Sequence, residues 1–436
     1  MGGHTSRHMS GHVTMLRAAR LPRWALAPDW PTERGRPALA DISIAGGRVV
    51  ALVPHRAHAD GAAPAPANIL DARGAPVLPG LVEAHTHIDK TYTIERLGAV
   101  PPGLLAAIDA MKADRAGWTA ADVRARADRA LRRAHAAGVV HLRTHCDWWE
   151  PDATPLAWNV LRELGDAWAD RLRVERVSLI PLHLFPTRDA AMSLARTVAA
   201  SGPGARFGGF VHTTNWDPAA LRRLFEAAAE FGLDVDLHVD EELDPAACGL
   251  DTTAALLREL RFDGRVVCGH DCALAAQPLE RALSTLDAVA RAPITMVSLP
   301  TTNLLLQDAR PGRTPRQRGI TLVKEARERG IPVLVSTDNV QDAFCRVGAY
   351  DPVEALATAT LAAQLDEPFD AWSDAICRHD RLAREPRAHA TLAPGDAADF
   401  VIFDRARAAS WPADAHERRV LRAGALLAAA TEEEPA

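Results

Sequence analysis

From residue 79 to residue 385 short apolar runs alternate, eight times over, with longer stretches rich in alanine, arginine and leucine. The runs are "GLVEAHTH", "GVVHLRTHCD", "VERVSLIPLHLF", "RFGGFVHTT", "LDVDLHVDEE", "GRVVCGHDC", "PITMVSLPTTN" and "IPVLVSTDN". Apolar runs too short for a helix, spaced by helix-like segments, read as strands alternating with helices. That alternation builds a parallel sheet with helices packed outside it, and eight repeats match a (β/α)8 TIM barrel. Periodicity alone leaves an open parallel sheet as the alternative. One intervening segment, "TAADVRARADRALRRAHAAG", marks its own ends. Thr119 stands three residues before Asp122, as in a capping box, and Gly138 suits a helix C-terminus.

The flanks differ from the middle. Residues 37–78 and 391–426 carry short strand-like runs between turn residues, including "DISIAGGRVVALV" and "GDAADFVIFD". Both ends can therefore pair into one small β-sandwich. The expected organisation is a disordered tail over 1–15, a composite β domain from 16–78 and 386–430, and a catalytic barrel over 79–385.

Composition excludes several classes. A net charge of −6 with no basic stripe does not suit nucleic acid or an anionic membrane as partner. No segment approaches the ~18 consecutive apolar residues of a spanning helix. The six cysteines are scattered without a C-x-x-C pair, which argues against a disulfide framework or a thiolate zinc site and for a cytoplasmic setting. The expected partner is a small molecule, and a homo-oligomer is compatible with the composition.

The first run ends in "EAHTHIDK". Side chains alternate along a strand, so His85 and His87 face the same way, as two ligands of one metal would. H-x-H is short enough to arise by chance, so the other runs must supply partners. In a barrel, functional groups sit at the C-terminal strand ends. Those ends carry His145 and Asp147, His212, then His238, Asp240 and Glu241, then His270 and Asp271, and finally Asp338. So many ligand-type residues aimed at one mouth point to a metal site. His85, His87, His238 and Asp338 form a nitrogen-rich set with one carboxylate, suited to one Zn2+ or Fe2+ with a position left for water. Such a metal lowers the pKa of water from 15.7 towards roughly 7. Glu241 is placed to carry a proton to a leaving group or ring nitrogen, and His270 to orient the water. The fourth run lacks a lysine, which favours one metal over a lysine-bridged pair.

Together these residues resemble the amidohydrolase superfamily, and within it the cytosine deaminase-like branch. The resemblance runs from "LPGLVEAHTHIDK" to "STDNVQDAFCRVG" and includes "HVDEELD" and "SLPTTNLLLQ". It implies a metal-dependent aminohydrolase that cleaves the exocyclic C–N bond of a small nitrogen heterocycle. His85, His87, His238 and Asp338 would be ligands, Glu241 and His270 catalytic, and Asp338 also the acceptor of water's proton. The recognition residues depart from that branch. Its glutamine after the third strand is missing from "LIPLHLFPTRDA", which offers Leu182, His183 or Thr187, and Asn339 replaces a second acid. Phe344 stands where an aromatic wall is expected. A site built for hydrogen bonds rejects molecules that cannot satisfy it, so these changes put cytosine itself in doubt. The rival readings are removal of an alkylamine or opening of a cyclic amide by the same kind of site, and a barrel that binds without turnover.

Overall fold

The computed structural model describes residues 12–56, 68–382 and 391–428. All eight predicted runs form strands: β1 (Leu81–Thr86), β2 (Val139–Asp147), β3 (Arg173–Pro181), β4 (Ala205–Val211), β5 (Val235–Val239), β6 (Val266–His270), β7 (Ile294–Ser298) and β8 (Val333–Val335). Neighbours pair in sequence order, and the paired registers are parallel. The ring closes where Thr86 and Asp338 form a parallel bridge, with Asp338 N donating to His85 O at 3.0 Å. A closed barrel rather than an open sheet is thus the outcome, and closure itself brings the ends of β1 and β8 together.

Strands covered on both faces carry continuous apolar sequence, and β1, β5, β6, β7 and β8 are buried throughout. The helix Ala120–Ala137 shows the complementary logic. It buries Val123, Ala127, Ala130, Leu131 and Ala134, spaced for one face. Thr119 accepts from Asp122 N at 3.2 Å, and Gly138 ends the helix at φ 106°, where a side chain would be strained.

The chain divides into two compact units, Met1–Leu81 with Glu367–Cys377 and Arg387–Ala436, and Val82–Asp366 with Arg378–Pro386. The first differs from the sequence-based boundaries by taking 367–377 out of the 79–385 range. It contains two four-stranded sheets, one running Arg48–Pro54, Ala40–Ala45, Met15–Ala19, Ile69–Asp71, the other Ala425–Leu426, Arg419–Arg422, Phe400–Ile402, Val77–Pro79. Leu16, Ile42, Val77, Phe400, Ile402 and Leu421 belong to one core, so strands from both chain ends do share a sandwich. Of the tail expected over 1–15, residues 1–11 lie outside the described residues. The rest is corrected: Val13 is buried and Met15 opens a strand, because both join that core or its sheet.

Candidate active site

β1 delivers His85 and His87 to one point, as alternation requires. β5 delivers His238, and the residue after Thr337 turns back with φ 64° to present Asp338. The Nε2 atoms of His85 and His87 lie 3.1 and 3.0 Å from that of His238. Asp338 Oδ1 is 3.6 Å from His85 Nε2 and 3.3 Å from His87 Nε2. Four ligands ~2.1 Å from a zinc-sized ion at tetrahedral angles lie about 3.4 Å from one another. The observed edges bracket that value. Burial first, with neighbouring histidines contributing, holds His85, His87 and His238 well below the usual imidazole range, hence neutral, the form that binds metal. The two Asp338 oxygens are buried with no hydrogen-bond partner. Such orphaned groups fit a cation coordinated among them.

The strand ends are held by specific contacts. His85 N donates to Ser336 Oγ at 2.8 Å, and Ser336 hydrogen-bonds the buried Glu83 carboxylate, which also accepts from Thr337 N at 2.9 Å. This stitches β1 to β8 directly beneath the ligands. Gly269 leaves room for His85: a Cβ there would sit 2.8 Å from the imidazole Cε1 and Nδ1. Asp240, His270, Asp271 and Asp338 all have positive φ. Left-handed backbone at non-glycine residues costs of order 1–3 kcal/mol each and concentrates where side chains must be aimed.

Glu241 and His270 come together beside the cluster, with Glu241 Oε1 3.4 Å from His270 Nδ1. Both are buried. Burial, with Asp338 adding to it, raises the Glu241 carboxyl well above its usual range, which favours the protonated form. Burial lowers His270 to about 3 and leaves it neutral. Asn303 Nδ2 donates to His270 Nδ1 at 3.1 Å, so the imidazole proton is placed on Nε2, which has no protein partner.

The adjoining space is lined on one side by His87, His238, Glu241 and His270, and on the other by apolar and aromatic side chains including Trp149, Leu179, Phe210 and Phe344. Asn339 lines it too, its Nδ2 donating to Asp342 Oδ2 at 2.7 Å. Asp342 also accepts from Phe344 N at 2.9 Å, so one buried carboxylate sets the loop that carries both residues. His183 does not join them. It is exposed and absent from the lining, because β3 ends at Pro181 and the turn Leu182–Leu184 buries the leucines on either side instead. Asp240 is committed elsewhere, accepting from Gly249 N and Leu250 N at 3.1 and 3.0 Å. His212 caps the turn Thr213–Asn215. His145 stacks behind His85, ring centroids 3.9 Å apart.

Sequence reasoning passed over Lys90. Its ammonium is buried at the pocket wall, 2.7 Å from Asp147 Oδ1 and 5.0 Å from the Phe344 ring centroid. Burial opposes its charge, but Asp147 and Asp89 raise its pKa above the ordinary lysine value. The signal was present: Lys90 closes "EAHTHIDK" and is one of only three lysines in the chain.

A model of the amidohydrolase family matches residues 157–427. A pterin deaminase of Rhizobium rhizogenes is 37% identical over 390 residues, covering 89% of this chain and 87% of that protein. Among solved structures, 5-methylcytosine deaminase from Klebsiella pneumoniae liganded with 5-fluorocytosine superimposes with a TM-score of 0.77 at 22% identity, covering 97% of this chain and 99% of its own. N-isopropylammelide isopropylaminohydrolase from Burkholderia multivorans superimposes with a TM-score of 0.72 at 22% identity, covering 94% and 97%. At those identities the two structures speak to the fold alone.

Proposed function

This chain belongs to the amidohydrolase family, and from that premise we propose that it is a deaminase with one divalent metal, acting on an aminated, oxo-bearing heterocycle of the pterin class. The observation that carries the reading is Glu241, its carboxyl pushed up by burial, set against His270 beside the buried cluster of His85, His238 and Asp338, with His87 Nε2 3.0 Å from His238 and 3.3 Å from Asp338. His85, His87, His238 and Asp338 would hold the metal. When bound, it supplies a water of lowered pKa at neutral pH.

The remaining chemistry belongs to the side chains. Asp338 takes a proton from the attacking water as its oxygen bonds to the ring carbon that bears the amino group. Glu241 gives its proton to the adjacent ring nitrogen, which receives the C=N electron pair. His270 donates its Nε2 proton in a hydrogen bond to the incoming oxygen. Collapse forms the new carbonyl, returns the hydroxyl proton to Glu241, and passes the Asp338 proton to the amine, which leaves as ammonia. One water is consumed and one ammonia released, and both acids end as they began.

Substrate class follows from the walls. Trp149, Phe210 and Phe344 offer faces for a flat ring system, and aromatic packing of this kind contributes about 0.5–1.5 kcal/mol beyond burial. The Lys90–Asp147 pair offers a donor for a ring carbonyl and an acceptor for a ring N–H, in place of the missing glutamine. The 37% identical pterin deaminase supports a fused ring over cytosine. All six cysteines are free and five are buried, which suits a reducing compartment.

The test is ammonia release from metal-loaded protein with pterin, cytosine and N-isopropylammelide. Pterin turnover at least 100-fold above cytosine in kcat/KM is the expected result. Ammonia from cytosine alone would overturn the substrate class. Isopropylamine as the product would move the reading to alkylamine removal, and no metal-dependent release from any of the three would remove the deaminase assignment.

A further inference from the structure

A concavity of about 990 Å³ has no part in the site above. All of its lining belongs to the unit of the two small sheets. The hairpin Thr32–Pro37, the turn around Arg73 and Gly74, and the segment 404–409 bound it. Six of its seventeen lining residues are arginines, against 50 of 436 for arginine and lysine together in the whole chain.

Charge is not balanced within it. Two of the three lining carboxylates are already spent: Asp71 Oδ2 lies 2.6 Å from Arg17 Nη2, and Asp404 Oδ2 lies 2.7 Å from Arg419 Nε. Arg20 pairs with Asp370 at 2.7 Å and Arg405 with Glu417 at 2.7 Å. Among the described residues Arg36, Arg73 and Arg407 have no ion pair, and neither does the lining carboxylate of Glu33. Arg20 is almost fully buried, and burial followed by the nearby Arg36 and Arg23 lowers its pKa despite Asp370. Unpaired guanidiniums gathered in a concave wall, one of them pressing on a buried charge, are stabilised by an incoming anion. Guanidinium forks match the planar and trigonal faces of carboxylate and phosphate.

We propose that this groove binds a small polyanion, a ligand with two or more phosphate or carboxylate groups, paired by Arg36, Arg73 and Arg407. Its volume is in the range of small-molecule sites, about 300–1,000 Å³. The three side chains are exposed, Arg36 on the hairpin strand paired with Glu33, Arg73 in a turn and Arg407 outside any regular element, so they can close on such a ligand without disturbing the core.

The full chain, metal-loaded, is titrated by calorimetry with pyrophosphate and with tricarballylate at ionic strength held constant with chloride. The comparison protein is the triple variant Arg36→Gln, Arg73→Gln, Arg407→Gln, with Arg124→Gln, Arg132→Gln, Arg222→Gln together, none of them in the lining, as a control for net charge. Saturable binding of either probe that weakens at least tenfold in the triple variant and not in the control is the expected result. Which probe binds tighter tells phosphate from carboxylate. Withdrawal of the catalytic metal by a probe would affect parent and triple variant alike, so only their difference counts. Unaltered deaminase turnover in the triple variant shows that it folds. No saturable binding by the parent, or equal binding by parent and triple variant, would overturn the proposal.

Discussion

Two clusters of buried charge lie along the same strands and are opposite in character. At the mouth, the oxygens of Asp338 and the Nδ1 atoms of His85, His87 and His238 have no protein partner. Two residues before His238 on β5, about 7 Å along the strand, Asp236 joins a network in which Arg143 is surrounded by partners. Its Nε and Nη2 reach Glu175 Oε2 at 2.9 and 2.6 Å, Nη1 reaches Asp236 Oδ2 at 2.8 Å, and Nη2 donates to Leu382 O at 2.9 Å. Arg173 and Arg206 complete the cage on Glu175 Oε1 at 2.6 and 2.7 Å. Arg143, Glu175 and Asp236 are as buried as the residues at the mouth, while Arg173 reaches the surface. The difference lies mainly in satisfaction: every guanidinium nitrogen of Arg143 has a hydrogen-bond partner, although Asp236 Oδ1 and Arg206 Nε have none, whereas Asp338 and the three imidazoles are left as a set for a cation. His145 sits between them, 3.7 Å from Asp236 Oδ1 and against the His85 ring.

The contrast can be broken at its sharpest point by His87→Ala. Metal content measured by mass spectrometry should fall from one per chain to near zero, and ammonia release should fall with it below detection. Glu241→Gln separates chemistry from binding: metal content stays, and kcat drops about 10²–10⁴-fold, the range of a lost general acid. Near-normal turnover would remove Glu241 from its assigned role. Arg143→Met attacks the closed network instead. Breaking a buried pair from one side costs about 3–5 kcal/mol, so urea unfolding should shift strongly while the metal stoichiometry of the remaining folded protein is unchanged. Lys90→Gln should lower kcat/KM on a pterin about 10–100-fold, since a hydrogen bond to a charged group contributes roughly 1.5–3 kcal/mol. The loss should fall mainly in KM, and Lys90→Arg should restore part of it.

The smallest effect expected is on acid stability. Burial alone would raise Glu175, but Arg143, His141 and Arg206 hold it well below its unfolded value of 4.5. A depressed carboxyl stabilises the fold above the unfolded pKa and loses that contribution as pH falls towards the folded one. Denaturant midpoints should therefore decline as pH drops below 4.5. The decline should be shallower in Arg143→Met, because part of the depression is already gone.

Much of this was legible in residue order, for reasons that can be named. Local pattern marks strand against helix, so all eight barrel runs and the Thr119 and Gly138 helix ends could be read directly. The rule that function collects at C-terminal strand ends then put His85, His87, His238, Glu241, His270 and Asp338 at one mouth before any coordinates. The limits have the same physical origin. His183 is one of three residues that the sequence offers in place of the missing glutamine, yet a single turn of chain after β3 points it to solvent. Lys90 gives no sign of its position, because nothing local reveals that Asp147, fifty-seven positions away, will hold it against the pocket.

Sequence alone determined the alternation, the ligand types and their order along the chain, since these depend on periods of two and 3.6 residues and on the chemistry of single side chains. Tertiary structure decided the rest: that β1 and β8 close the ring, that Asn303 fixes the His270 proton, that Arg143 is saturated while Asp338 is not, and that Arg36, Arg73 and Arg407 share one groove. Each of these depends on distances between residues far apart in the chain, and such distances are set only when the core closes.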